Sequence, residues 1–290
     1  MSMKAIIFGG SGFLGVNVAQ ELIKRGIKVI IFDKKKPKKK IKNIKVTIGS
    51  IENYKKIEKS IKGCDYVFNF AALADIGDSI NHPIKTVTTN ILGTVNLLEA
   101  SRKYKIKRYI FASSIYVFSQ QGSFYRASKQ SSELYIEEYK KRFGLNYTIL
   151  RFGSVYGSGS DPRNGISRII NDYLRTKKVI YRGTNKAERK FIHIKDAAKA
   201  SANMIQNKFK NKIITIVGKK KYRISNILNL VTKLLNVKSK PKYHNKIAMG
   251  HYDKSPDGYA PKPSKKYLIK PTINIENGIR NLIKDIQNQR

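Results

Sequence analysis

The sequence predicts an α/β chain folded as a doubly wound parallel sheet. Three observations carry that expectation. Short apolar runs alternate with helical-period segments through residues 4–152. A glycine-rich turn, GGSGFLG at 9–15, separates the first run from the first helix. The second run ends on an acid, Asp33.

Each element has a reason. KAIIF (4–8) reads as a buried strand, and VNVAQELIKRG (16–26) as an amphipathic helix capped by Gly26. KVIIF (28–32) is the second strand. NIKVTIG (43–49) is a strand, and 50–63 a helix with Ile51, Tyr54, Ile57 and Ile61 at helical spacing. DYVFNFAA (65–72) is a strand, 84–104 a long helix, and RYIFASS (108–114) a strand. A helix over 124–143 and the strand YTILRF (147–152) complete the alternation.

The first unit has the spacing of a dinucleotide-binding Rossmann fold. Gly9 permits the tight turn, Gly12 admits a pyrophosphate to the backbone, and Gly15 lets helix and strand pack closely. Asp33 lies eighteen residues after Gly15, where a carboxylate accepts the adenosine ribose hydroxyls and repels a 2′-phosphate. That favours NAD over NADP. The run DKKKPKKKIK (33–42) follows at once; its lysines soften the preference and are otherwise solvated.

Composition narrows the function classes. Lys and Arg number 59 against 19 Asp and Glu, a formal charge of +40. The lysines are spread along the whole chain, so they read as a compositional bias rather than one polyanion-binding face, and no nucleic-acid partner is expected. Cys64 is the single cysteine, which leaves no intrachain disulfide or cysteine-based zinc site and fits a reducing cytoplasm; no metal site is expected. No apolar run approaches eighteen residues, so no membrane span is expected.

The chemistry sits after the fifth strand, in SSIYVFSQQGSFYRASK (113–129). Tyr125 and Lys129 are four apart at the start of a helix and share a face. A neighbouring ammonium favours the phenolate and lowers the tyrosine pKa, which makes Tyr125 a base. Ser114 ends the preceding strand, placed to align a reacting hydroxyl.

These segments, together with NFAALADIGDS (69–79), NILGTVNLLEAS (90–101), LRFGSVYG (150–157), RKFIHIKDAAKA (189–200) and a fainter PSKKYL (263–268), resemble the extended short-chain dehydrogenase/reductases, in the NAD-dependent nucleotide-sugar epimerase/dehydratase group. The resemblance implies Ser114, Tyr125 and Lys129 as the catalytic set, with NAD as cofactor. It implies cofactor contacts at Gly9, Gly12, Phe13, Leu14, Gly15, Asp33, Asn69, Ala71, Ala72, Asn90, Tyr125 and Lys129, with Asn90 also bracing the site. Ser114, Ser154 and Arg189 would face a nucleotide-sugar substrate, Arg189 as a phosphate clamp. An NAD-binding domain is implied over 1–155, rejoined by 189–217, with a smaller substrate lobe from 156–188 and 218–290. Residues 251–265 would form a loop over the substrate, and 274–288 a closing helix. A homodimer through the two long helices is expected.

Within the group, C4 epimerisation of a UDP-sugar through a 4-keto intermediate fits best. Dehydratases carry an acid pair directly after the catalytic Ser/Thr; here those places are Ile115 and Tyr116. Cys64 sits away from the position used by 3,5-epimerases. The alternatives are an NAD(P)-dependent nucleotide-sugar dehydrogenase or reductase, a 4,6-dehydratase and a noncatalytic NAD-binding protein. The chain also departs from the group pattern. Ser50 follows Gly49 where an acid is common, Ser154 replaces an asparagine, only ten residues separate Ser114 from Tyr125, and His251 or Lys254 stands where an arginine is usual. His193 is expected to brace a turn, and Asp161–Arg163 to form one.

Overall fold

Lys4–Phe8 forms β1, and the chain leaves it through the glycine turn into α1, Phe13–Lys24. The helix starts three residues earlier than its apolar period suggests, because Gly12, not a polar side chain, occupies its N-cap. The computed structural model describes residues 3–42, 44–162, 165–244, 250–256 and 258. The expected closing helix at 274–288, PSKKYL, Arg163 and the end of the 251–265 loop lie outside them.

β2 (Lys28–Asp33) and β3 (Lys45–Ile48) pair parallel, and β2 pairs with β1. α2 is Tyr54–Ile61, shorter than expected because the Asn53 side chain caps it by accepting from Lys56 N. β4 (Tyr66–Asn69) leads into a short helix, α3 (Ile76–Asn81), capped by Asp75. The long helix expected at 84–104 is three pieces: α4 (Pro83–Thr86), a π-helical stretch (Val87–Leu92) and α5 (Gly93–Lys103). β5 (Arg108–Ser114), α6 (Ser123–Phe143) and β6 (Tyr147–Phe152) follow.

Beyond β6 the chain builds β7 (Ser154–Tyr156), α7 (Gly165–Thr176), β8 (Ile180–Tyr181), β9 (Glu188–His193), α8 (Ile194–Asn203), β10 (Lys212–Ile216), β11 (Lys221–Arg223), α9 (Ile224–Leu234) and β12 (Lys242–Tyr243). The main sheet has seven strands in the order β10-β6-β5-β4-β1-β2-β3, all parallel. Two small sheets, β11-β9-β7 and β12-β8, stand apart from it. Of the stretch 189–217, α8 packs on α1 and β10 extends the main sheet, whereas β9 belongs to a small one.

The inner strands β1, β2, β4, β5 and β6 are buried on both faces, so successive residues feed two cores. Ile6 and Phe8 join Phe32, Ile57, Leu97 and Ile136 under α2, α5 and α6. Ala5 and Ile7 join Val18, Leu22, Ile31 and Ala198 under α1 and α8. Each fully buried large side chain contributes about 1.5–3 kcal/mol. A third cluster, around Ile169, Leu228 and Val231, holds α7 to α9. The strand order reverses between β1 and β4, and the crevice at the carboxyl ends of those strands is where ligands bind on such sheets.

Candidate active site

The glycine turn opens that crevice. Gly9 has φ +74°, and a Cβ there would stand 2.5 Å from Ala71 N, so neither its conformation nor its space admits a side chain. A Cβ on Gly15 would overlap Gly9 O and lie 2.6 Å from Gly10 Cα; this glycine seats the helix on the turn. A Cβ on Gly12 would press on Gly9 O at 3.2 Å, and this glycine caps α1 without a side-chain hydrogen bond, which leaves the first-turn N–H groups, those of Phe13 and Leu14 among them, without helix partners. An anion fits there. The Leu14 side chain packs into the core instead.

A cleft of about 260 Å³ runs from this turn along Gly12, Asp33, Lys34, Ala71, Ala72 and Leu73. Asp33 Oδ2 accepts from Ser11 N at 3.0 Å and Oδ1 from Lys35 N at 3.3 Å. A carboxylate has about four acceptor sites, so two remain for ribose hydroxyls. The donor set therefore fits a dinucleotide: bare N–H groups for the pyrophosphate and an acid for the adenosine ribose.

Two expected contacts turn inward. Asn69 is fully buried, and its Nδ2 donates to Thr94 Oγ1 at 3.1 Å and to Tyr109 OH at 2.9 Å; it ties β4 to its neighbours and does not line the cleft. Asn90, in the π-helical stretch, accepts from Leu73 N at 2.7 Å and donates to Leu73 O at 3.1 Å and Ser128 Oγ at 2.9 Å. Its amide fastens the cleft-lining loop after β4 to α6, which braces the cofactor wall.

Ser114, Tyr125 and Lys129 converge at the end of β5. The Ser114 side chain, whose Oγ accepts from Tyr116 N at 3.3 Å, is close enough to Tyr125 to favour its phenolate. Lys129 is 3% exposed, donates to Ala112 O at 2.7 Å, and lies 4.6 Å from the Phe111 ring centroid and 5.8 Å from that of Tyr125. Burial pulls the Lys129 ammonium down to about 7, only partly offset by Glu133. Burial pushes Tyr125 up to about 12 against the favourable Ser114 contact.

Beneath the trio lies a network that no sequence motif announced. Glu133 accepts from Ser113 Oγ and forms a two-pronged pair with Arg151, at 3.0 Å from Nε and 2.5 Å from Nη2. Glu133 falls one turn beyond Lys129 on α6. That spacing was the available signal.

On the substrate side, Tyr116 sets its ring edge-on to Tyr125, with centroids 6.4 Å apart, and its hydroxyl meets His251 Nδ1 at 2.9 Å. Burial raises the tyrosine pKa and, with Arg189 and Arg168, lowers that of His251, which favours a neutral phenol against a neutral imidazole. The Gly250–Pro256 segment is tied to the start of α6 by Gly122 N donating to Gly250 O at 2.7 Å. Arg189 holds the same segment: its Nη1 donates to Asp253 O at 3.2 Å and its guanidinium covers the Tyr252 ring at 4.3 Å. It is 9% exposed, turned inward by these contacts. Ser154 is near the Tyr252 hydroxyl. His193 caps α8, its Nδ1 accepting from Lys195 N at 3.4 Å, and stacks edge-on to Tyr156. The sequence reading missed Arg168 on α7, whose pKa is lowered by burial and by Arg182.

A putative UDP-glucose 4-epimerase of Methanocaldococcus jannaschii is 27% identical over 98% of each chain. A dTDP-D-glucose 4,6-dehydratase of Dictyostelium discoideum is 29% identical over 81% of this chain and 62% of its own. The structure of Thermotoga maritima UDP-glucose 4-epimerase with UDP-glucose superposes with a TM-score of 0.80 at 25% identity, covering 99% of both chains. Residues 5–218 match the family model described as NAD dependent epimerase/dehydratase family. With more than half of its length matched and the dinucleotide cleft in place, the chain belongs to the NAD-dependent epimerase/dehydratase family.

Proposed function

We propose that the chain epimerises a nucleotide sugar, a UDP-sugar first among candidates, at C4 through a 4-keto intermediate. The observation that carries this reading is the Tyr125–Lys129 dyad beside Ser114. With pKa values near 12 and near 7, Tyr125 is protonated at neutral pH and Lys129 is divided between ammonium and neutral amine. Tyr125 becomes a base in the fraction in which its proton has passed to the Lys129 amine, leaving a phenolate ready to take the C4 hydroxyl proton. Ser114, within reach of Tyr125, orients the same hydroxyl. Bound NAD supplies a reversible hydride acceptor at C4. Tyr125 returns the proton when the ketone is reduced from its other face, so the sugar is isomerised without net oxidation.

Dehydration also requires an acid and a base acting at C5 and C6. Ile115 is buried, and Tyr116 is a neutral phenol committed to His251. Those contacts favour the epimerase over the dehydratase relatives. The small sheets with α7 and α9 make up the sugar-nucleotide lobe in this reading, and Arg168 and Arg182 serve the diphosphate, since Arg189 is occupied in holding the Gly250–Pro256 segment. Ile84, Val87, Leu92, Phe124, Leu134 and Tyr135 are exposed along α4–α6, which supports a homodimer through these helices. Among the described residues no helix is long and apolar enough to cross a membrane.

Proton NMR over a panel of UDP-, GDP- and dTDP-sugars with catalytic NAD tests the reading. Conversion of one sugar to its C4 epimer, reduced about 10²–10⁴-fold by Tyr125→Phe, is expected. Stoichiometric NADH change would replace it with a net oxidoreductase, and a 4-keto-6-deoxy product with a dehydratase.

A further inference from the structure

The cleft has a feature that its glycine turn and Asp33 do not explain. Lys34 and Lys85 both line its adenosine end, beside Thr89. Two ammonium groups at that rim suit a 2′-phosphate, which contradicts the preference set by Asp33. Glu52 resolves the conflict. Its Oε1 accepts from Thr89 Oγ1 at 2.8 Å and lies 3.3 Å from Lys34 Nζ and 3.3 Å from Lys85 Nζ. One carboxylate thus ties down both cations and is itself pinned by a hydroxyl. The side chain of Glu52 is 29% exposed against 48% and 50% for the lysines, so the acid is the better ordered member.

We propose that Glu52 is a specificity-determining residue for the dinucleotide, selecting NAD over NADP by holding Lys34 and Lys85 away from the position of a 2′-phosphate. This rests on the family's use of NAD and extends it to residues of this chain outside the glycine turn. Asp33 repels the extra phosphate directly. Glu52 removes the two charges that would otherwise compensate, one of them on the residue immediately after Asp33. The lysine run is thereby split: its first member belongs to the cofactor site.

The test is calorimetric titration of NAD and of NADP into the wild type and Glu52→Gln, with no sugar present. Glutamine keeps an acceptor for Thr89 and releases the lysines. The NADP-to-NAD affinity ratio should rise about tenfold, because each half-exposed ammonium contributes a few-fold. The gain should shrink between about 50 mM and 500 mM salt. Adding Lys34→Met to Glu52→Gln should reverse most of it. A ratio unchanged within about twofold, in a variant that still binds NAD, overturns the proposal. A wild-type chain that binds neither dinucleotide overturns the cofactor assignment and this inference with it.

Discussion

Replacing Lys129 by methionine should stabilise the fold and stop the chemistry. The side chain is 3% exposed, and burial holds its pKa near 7 instead of an ordinary lysine's 10.5. At about 1.36 kcal/mol for each pH unit, that difference is on the order of 5 kcal/mol spent on keeping the ammonium in place. The cost is fully present below pH 7, where folded and unfolded chains both carry the charge. It fades as the pH rises from about 7 to 10.5, because over that range the unfolded chain binds a proton that the folded chain does not. Methionine fills a similar volume but gives up the bond to Ala112 O, a loss of about 1 kcal/mol. Near pH 6 the variant should therefore be more stable by roughly 2–4 kcal/mol, and by pH 10 the advantage should be gone. Urea unfolding of the cofactor-free protein at pH 6, 8 and 10 measures this. Turnover should fall at least about 10²-fold, since no amine would remain beside Tyr125 to take its proton or to hold the phenolate once it forms. A variant less stable than wild type at pH 6, or a difference that does not vary with pH, would show that Lys129 is not a strained, neutral-leaning group.

Two further substitutions probe the scaffold of the site. Asn90→Ala removes three hydrogen bonds, to Leu73 N, Leu73 O and Ser128 Oγ, and strands the Leu73 backbone. A loss of about 3 kcal/mol in urea unfolding is expected, and a change below about 1 kcal/mol would mean that water replaces the amide. Gly15→Ala places a methyl against Gly9 O and Gly10 Cα. It should cost about 1–3 kcal/mol of stability and weaken NAD binding by displacing the turn, whereas wild-type affinity would show that the helix can slide without moving the phosphate site.

Much of the fold was legible because its signals are local. Alternating apolar runs marked the strands, GGSGFLG marked the turn, and Tyr125 with Lys129 share a helix face by spacing alone. Boundaries moved where capping or backbone geometry intervened. Asn53 delayed α2, Gly12 allowed α1 to begin early, and the π-helical stretch broke the long helix at the residue, Asn90, that the site needs turned inward.

What the sequence by itself determined was the alternation of elements, the dinucleotide turn with its acid, and the spacing that puts Tyr125 and Lys129 on one helix face. Which partners those residues take was decided only in three dimensions. Asn69 and Arg189 match the family pattern, yet they spend their donors inside the protein. Glu133, His251 and Glu52 carry no motif, yet they meet Arg151, Tyr116 and the two cleft lysines. Motifs record constraints along the chain. Hydrogen bonds and ion pairs between residues 18, 33 or 135 positions apart arise from how strands and helices stack, and only that stacking sets their distances.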